Sequence, residues 1–219
     1  MEIRAFISQK GGAGKSTLAR QLACQAGEPI ELNRAVLIDR DPQQTTAKWW
    51  ARRQQRKPLP PPQPELLELG NNSLADALDV LRRQSGGVFV DTRPALGGIE
   101  QEAARLADQI IVPLRPSADD LEAIVDTLQM LQRLDALGRT VLVINAAKNS
   151  QRARGCMAVL SKYPVAVCPH HLHDRAAYQD ASQGGLWVEE LGHPGRAASD
   201  ELLRVWAWLR QALKKGTIL

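Results

Sequence analysis

Eight consecutive residues, Lys10-Gly11-Gly12-Ala13-Gly14-Lys15-Ser16-Thr17, hold the densest chemistry in the chain. Three glycines let the backbone turn tightly and aim its N–H groups inward at an anion. Gly11 to Thr17 therefore read as a cradle for a nucleotide's phosphates. Lys15 would reach the β- and γ-phosphates, and Ser16 would hold Mg²⁺ through its hydroxyl. The pattern is a compressed form of G-x-x-x-x-G-K-[ST]. A turn that merely joins a strand to a helix has no need of a lysine and a hydroxyl at those offsets. The surroundings suit a phosphate site: the apolar run Ile3–Ile7 precedes it, and Leu18, Leu22, Ala23 and Ala26 follow at helical spacing. The positive end of that helix then faces the anion.

Carboxylates supply the complementary chemistry. Ala35–Ile38 is a buried-strand pattern ending in Asp39-Arg40-Asp41-Pro42-Gln43, and Gly87–Val90 is another ending in Asp91. Strand, helix and strand make a βαβ unit, which implies a parallel sheet. Acids at the carboxyl ends of such strands lie in the crevice where these sheets bind ligands. Asp91 has the arrangement that delivers a carboxylate to the Mg²⁺ side of bound phosphates. An Asp-Pro pair also starts helices, with Asp41 as N-cap, and the two roles are compatible.

With Lys10 ahead of the glycines, the loop resembles that of the deviant phosphate-loop ATPases of the ParA/MinD family, K-G-G-x-G-K-[ST]. The resemblance implies that Lys10 crosses a dimer interface to the partner's nucleotide, so that dimerisation depends on ATP. It implies Lys10, Lys15 and Asp41 as catalytic residues, Asp41 orienting the attacking water. Ser16, Asp39 and Asp91 become the Mg²⁺ residues, and Asn145 and Pro169 lie with the loop around the nucleotide. Asp39–Gln43 fits the family's D-x-D-P-Q, and Arg115–Leu121 fits its P-S-x-x-D-[LF] segment, with Asp120 near nucleotide and partner. Arg175 and Tyr178 match a segment leading into a helix beside the adenine. Arg93 departs from the family's D-T-P-P; it adds charge near the dimer seam or points to solvent.

The elements that must position these residues are read from length and pattern. At 219 residues the chain suffices for one well-buried domain, and few aromatics with many aliphatics suit an α/β core. The expectation is a single doubly wound α/β domain over residues 1–219, a mostly parallel sheet with helices on both faces. Further strands are expected at Leu66–Leu69, Ile110–Leu114, Val141–Ile144 and Val165–Cys168. Helices are expected from Ser73 to Gln84, from Leu121 to Leu137 and over Asp200–Lys215. Cys24, Cys156 and Cys168 lack C-x-x-C spacing, which favours reduced thiols in a cytosolic protein. The chain shows no signal peptide and no membrane-spanning run. Cys168-x-His170-His171-x-His173 matches none of the usual zinc frames.

Two basic stretches stand out against a net charge of +4. Lys48, Arg52, Arg53, Arg56 and Lys57 accompany Trp49-Trp50 ahead of a proline tract. They form a partner surface, or a solvated helix face with its tryptophans packed inward. Arg196, Arg204, Arg210, Lys214 and Lys215 mark the last helix as a DNA-contacting candidate. By resemblance the chain is like short partition ATPases without an N-terminal helix-turn-helix domain. Such a protein binds ATP and Mg²⁺, forms an ATP-dependent homodimer, and binds DNA without sequence preference on the nucleoid. It meets a stimulating adaptor of ParB/ParG type. The alternatives are an orphan relative that positions a protein cargo, or a MinD-like membrane-associated ATPase, for which the terminal amphipathic helix would be the anchor. Cys24, Cys156 and Cys168 do not sit at the strand ends where an iron–sulfur reductase would need them, and a metabolic phosphoryl-transfer enzyme of the same fold has no need of Lys10.

Overall fold

The computed structural model describes residues 1–27, 34–58, 64–70, 72–82 and 86–214. Seven parallel strands form one sheet: β1 (Glu2–Phe6), β2 (Ala35–Arg40), β3 (Glu65–Leu66), β4 (Gly87–Thr92), β5 (Gln109–Leu114), β6 (Thr140–Ile144) and β7 (Ala166–Val167). Their order is β3-β2-β4-β1-β5-β6-β7. From β1 the chain runs to β2 and β3 on one side, returns to β4 beside β1, and then winds to β5, β6 and β7 on the other, so the winding direction reverses beside β1. Parallel sheets open a ligand crevice at the carboxyl side of such a reversal.

Residues alternate between two cores, as a sheet buried on both faces requires. Ile3, Ala5, Val88, Val90, Ile110 and Val112 face one side, against α3 (Leu74–Leu81), α4 (Gly98–Leu106), α5 (Ala118–Arg133) and α6 (Ser150–Leu160). Phe6, Leu37, Phe89 and Ile111 face the other, against α1 (Lys15–Ala26), α2 (Thr45–Gln54), α7 (Ala176–Gly184) and α8 (Arg196–Lys214). This is the doubly wound arrangement that the strand and helix patterns imply.

Several boundaries differ from expectation. The β3 ladder is Glu65–Leu66 and not Leu66–Leu69, because only Val36 and Leu37 of β2 pair with it. β7 is likewise trimmed to Ala166–Val167, paired with Val141 and Leu142. Helix α5 starts at Ala118, where the Ser117 hydroxyl accepts from the Asp120 amide at 3.2 Å. It stops at Arg133, because Asp135 takes a positive φ of 51°. Helix α8 begins at Arg196, four residues ahead of Asp200. The cap of α3 is Ser73, as expected, accepting from Asp76 N at 3.1 Å. Helices α4 and α6 had no sequence-based counterpart. The far end of the Ser73 helix, the centre of the proline tract and Lys215 lie outside the described residues.

Candidate functional site

Three strand ends meet at the reversal. Register pairs Phe6 of β1 with Asp91 of β4, and Asp91 with Asp39 of β2. The two carboxylates therefore stand side by side next to the loop that leaves β1. That loop carries Gly12 at φ 75° and Gly14 at φ 101°, both in the left-handed region that favours glycine. Space makes the same demand. A Cβ on Gly12 would meet the Arg115 guanidinium at 2.3 Å, and one on Gly14 would meet Asn145 Nδ2 at 2.0 Å. Those two side chains, from the ends of β5 and β6, hold successive loop carbonyls: Arg115 donates to Gly12 O, and Asn145 Nδ2 donates to Ala13 O at 2.8 Å. With the carbonyls held outward, the loop amides are left for the crevice.

Lys15 is nearly buried, and its ammonium donates to Ser8 O at 3.2 Å and Lys10 O at 3.4 Å. Burial lowers its pKa, and Asp91 and Asp41 oppose that. Asp91 is fully buried. Its Oδ2 accepts from Thr46 Oγ1 at 2.7 Å, whereas Oδ1 has no partner among the described residues. Burial pushes this carboxyl up to about 6, against the hydrogen bond from Thr46 and the nearby Ser16 hydroxyl. Ser16 Oγ also accepts from Thr45 Oγ1 at 3.1 Å. A buried carboxylate oxygen without a partner, beside a hydroxyl, has the hard-oxygen chemistry that Mg²⁺ and its waters favour. Ser16 and Asp91 thus fit the ion.

Asp39 is committed differently. Its Oδ1 accepts from Asp41 N at 3.0 Å, and its Oδ2 accepts from Thr46 N at 3.0 Å and Ala47 N at 2.9 Å. It caps α2 and anchors the turn from β2, so a metal-bound water would have only its remaining lone pair. Asp41 is not the N-cap, which is Gln44 at φ 53°. Its Oδ1 accepts from Gln43 N at 2.9 Å, and the residue lines the cavity. Lys10 is half-exposed and ion-paired with Asp119 at 3.6 Å.

Two adjoining cavities share Gly12, Gly14 and Thr17. One, of about 490 Å³, is walled by Lys15, Ser16, Asp41, Arg20, Lys48 and Arg52. The other, of about 420 Å³, is walled by Arg115, Asn145, Lys148, His173, Arg175 and Tyr178. Neither wall includes Pro169, which is exposed beyond β7. The loop from His173 to Tyr178 takes the position beside Asn145. Asp120, expected near nucleotide and partner, is buried and spent on local capping: it accepts from Ser117 Oγ at 2.6 Å and Arg115 N at 3.2 Å. Arg93 pairs at 3.3 Å with the buried Glu100 of α4.

The sequence reading did not assign Arg20, a nearly buried cation that donates to Thr45 O, Thr17 Oγ1 and Ser182 Oγ at 3.2–3.4 Å. Burial lowers its pKa to about 10, so it stays charged at neutral pH. Nothing in the α1 pattern singles it out, because its role depends on α2 and α7. The basic α2 buries one face, Thr46, Trp49 and Arg53, and leaves Lys48 exposed, as a solvated helix with a tryptophan packed inward does. Arg53 is buried in an ion pair with Glu190 at 2.6 Å, and Trp49 Nε1 donates to Leu186 O. On the last helix Arg196, Arg204 and Lys214 are exposed and Arg210 is half-buried.

Fold and site together define a nucleotide-binding domain of the phosphate-loop type. Residues 4–186 match the family model of the CobQ/CobB/MinD/ParA nucleotide binding domain. The match spans well over half of the chain, and the protein belongs to that family. It is 26% identical over 208 residues to the Maintenance of carboxysome distribution protein A of Halothiobacillus neapolitanus, covering 92% of this chain and 93% of that protein. It is 25% identical over 195 residues to Protein ParA of Rhizobium radiobacter, covering 84% of each. Among solved structures, an ATP complex of a Cyanothece McdA variant superposes with a TM-score of 0.71 at 18% identity, covering 98% of this chain and 96% of that one. No helix among the described residues is long and apolar enough to cross a membrane.

Proposed function

We propose that this ParA/MinD-family protein is a Mg²⁺-dependent ATPase that dimerises on ATP, binds non-specific DNA as the dimer and leaves it on hydrolysis, so partitioning DNA. The carrying observation is the meeting, at one strand reversal, of the glycine cradle, a buried Lys15 and an Asp91 oxygen without a partner among the described residues. Lys15 would exchange its two carbonyl contacts for the β- and γ-phosphates, a stronger, charge-assisted pairing. Ser16 and Asp91 would hold Mg²⁺, which neutralises charge on the transferring phosphoryl group. Asp41 has an oxygen available in the cavity to orient the attacking water. Lys10, half-exposed and only loosely paired, is free to serve a second subunit's phosphates, as a cation supplied in trans.

The exposed Arg196, Arg204 and Lys214 fall within roughly 80° of one another around α8, counted at 3.6 residues per turn. Asp200 interrupts that stripe, so a monomer offers few phosphate contacts, and pairing two monomers raises avidity without refolding. DNA co-sedimentation with and without Mg²⁺-ATP, over a salt series, tests the reading. Binding should need ATP, ignore sequence and fall steeply with salt. Neutralising Arg196, Arg204 and Lys214 together should weaken it while ATP-driven dimerisation persists. A triple variant that shifts DNA as well as the wild type at low salt refutes this face. A protein cargo in place of DNA cargo is the second reading, favoured by the nearly full-length match to a carboxysome-distribution protein. The partner would then be a cargo-bound adaptor, and α8 would still hold the nucleoid.

A further inference from the structure

The lobe beside Asn145 is walled by a loop caught between two parts of the fold. On one side its backbone is pinned to the end of β6: Leu172 N donates to Ile144 O at 3.0 Å, and Asp174 N donates to Ala147 O at 3.1 Å. On the other side it meets a single carboxylate from α8. Glu201 Oε1 accepts from His173 Nδ1 at 2.7 Å, Arg175 Nη2 at 2.6 Å and Arg175 Nε at 3.2 Å. Glu201 Oε2 accepts from His173 N at 3.0 Å. Four donors, all between His173 and Arg175, thus converge on one side chain that is only 5% exposed. With His173 Nδ1–H directed at Glu201, its Nε2 accepts from the Ser150 hydroxyl at 3.3 Å, which orients the ring from α6 as well. Arg175 is also the N-cap residue of α7, whose Tyr178 lines the same lobe and donates to Ala198 O of α8 at 3.3 Å.

We infer that Glu201 is a positioning residue for the nucleoside end of the ligand: from the last helix it sets the wall that receives the base, without touching the ligand itself. The inference rests on the nucleotide reading of the site and adds a specificity device to it. The lobe carries three cations, Arg115, Lys148 and Arg175, and one anion, Asp174, in its wall. Left uncompensated, they would make it a second phosphate site. Glu201 neutralises Arg175 and fixes its direction, so the lobe is less cationic than the neighbouring one, where Lys15, Arg20, Lys48 and Arg52 outnumber Asp41. A base and ribose are matched to the first, a phosphate chain to the second. The same contact makes the seat of α8 part of the nucleotide site.

Calorimetry with the full chain in Mg²⁺ separates the two lobes. ATP fills both, whereas inorganic tripolyphosphate fills only the cationic one. Glu201→Gln keeps the side-chain volume and one acceptor. It should weaken ATP about tenfold, the change that loss of one hydrogen bond to a charged group produces. Tripolyphosphate should bind the variant as it binds the wild type, and in turnover KM for ATP should rise with kcat unchanged. Arg175→Gln, at a half-exposed position that tolerates the change, should give the same pattern if the Glu201 variant fails to fold. Equal weakening of ATP and tripolyphosphate would mean a general structural role and overturns the inference, as does unchanged ATP affinity in both variants. A wild-type chain that binds neither ligand overturns the nucleotide reading itself.

Discussion

Replacing Asp91 by Asn should make the metal-free protein more stable while removing its use for Mg²⁺. Asp91 is fully buried with one oxygen unpartnered among the described residues, and burial raises its pKa from 3.8 to about 6. The sign follows from proton counting. Between these values the folded state binds more protons at this group than the unfolded chain, so its contribution to stability falls as pH rises through that window. A difference of roughly two pKa units corresponds to a penalty approaching 3 kcal/mol above the upper value. It is absent when both states are protonated.

Asn carries no charge at any pH and keeps an acceptor for Thr46 Oγ1. The stability advantage of Asp91→Asn over the wild type should therefore grow by about 2 kcal/mol between about pH 4.5 and about pH 7.5. For a domain of this size that is a relative gain of roughly 4–8 °C in melting temperature. The assay is urea or thermal unfolding of both proteins in EDTA at the two pH values. Taking the variant-minus-wild-type difference cancels the titrating groups that do not interact with Asp91. An advantage that does not grow with pH would refute the claim that desolvation of the charge governs this carboxylate. Mg²⁺ with nucleotide should stabilise the wild type and leave Asp91→Asn nearly unmoved, because only the wild type has an anionic oxygen to offer.

The remaining predictions concern catalysis. Asp41→Ala should leave nucleotide binding and ATP-dependent dimerisation intact and lower turnover by about 10²–10⁴-fold, the usual contribution of a positioned acid–base group; unchanged phosphate release would move the role to another residue. Lys10→Gln should bind nucleotide normally yet show no ATP-dependent dimer by light scattering. Its exposed contact with Asp119 is worth only about 0–1 kcal/mol, so releasing it in the wild type costs little. A dimer of undiminished affinity in that variant would remove the trans-lysine reading.

What was legible in the sequence was what the backbone dictates locally. The β1 turn needs residues at positive φ, and Gly12 and Gly14 announce it. The strands that end in Asp39 and Asp91 are short apolar runs bounded by an acid, and a parallel sheet brings such ends to one edge without any side chain being consulted. Helices α4 and α6 were missed for identifiable reasons. The cap of α4 is a glycine amide that donates to Glu100, three residues on, at 2.8 Å, with no Ser, Thr, Asp or Asn at the N-cap. That of α6 is the Asn149 side chain accepting from Arg152 N at 2.9 Å, a signal present in Asn149-Ser150 but followed by a weakly amphipathic run of Arg, Gly and Ala.

Charges were misread for a different reason: their meaning depends on partners far away in the chain. Arg53 looks like one of five exposed cations on a basic helix, yet it is buried because Glu190, more than a hundred residues on, accepts its guanidinium. Gly185 seals the same junction, where any Cβ would sit 2.5 Å from the Arg53 amide. Arg4 lies within a strand and is fully buried, held by Glu2 at 2.7 Å and Gln109 at 3.3 Å under the Trp206 ring of α8 at 4.7 Å. A buried cation of this kind costs stability unless paired, so each one fixes the docking of a particular element. Arg53 ties α2 to the segment after α7, Arg4 ties β1 to α8, and Arg20 ties α1 to the start of α2 and to α7. All three converge on the face of the sheet that carries α8, the helix proposed to meet DNA. The phosphate loop flows into α1, and α1 is clamped by Arg20 to α7, whose Tyr178 donates to Ala198 O of α8. A change at the nucleotide therefore has a packed and charged route to that helix, whereas the face covered by α3 to α6 is held mainly by apolar contact.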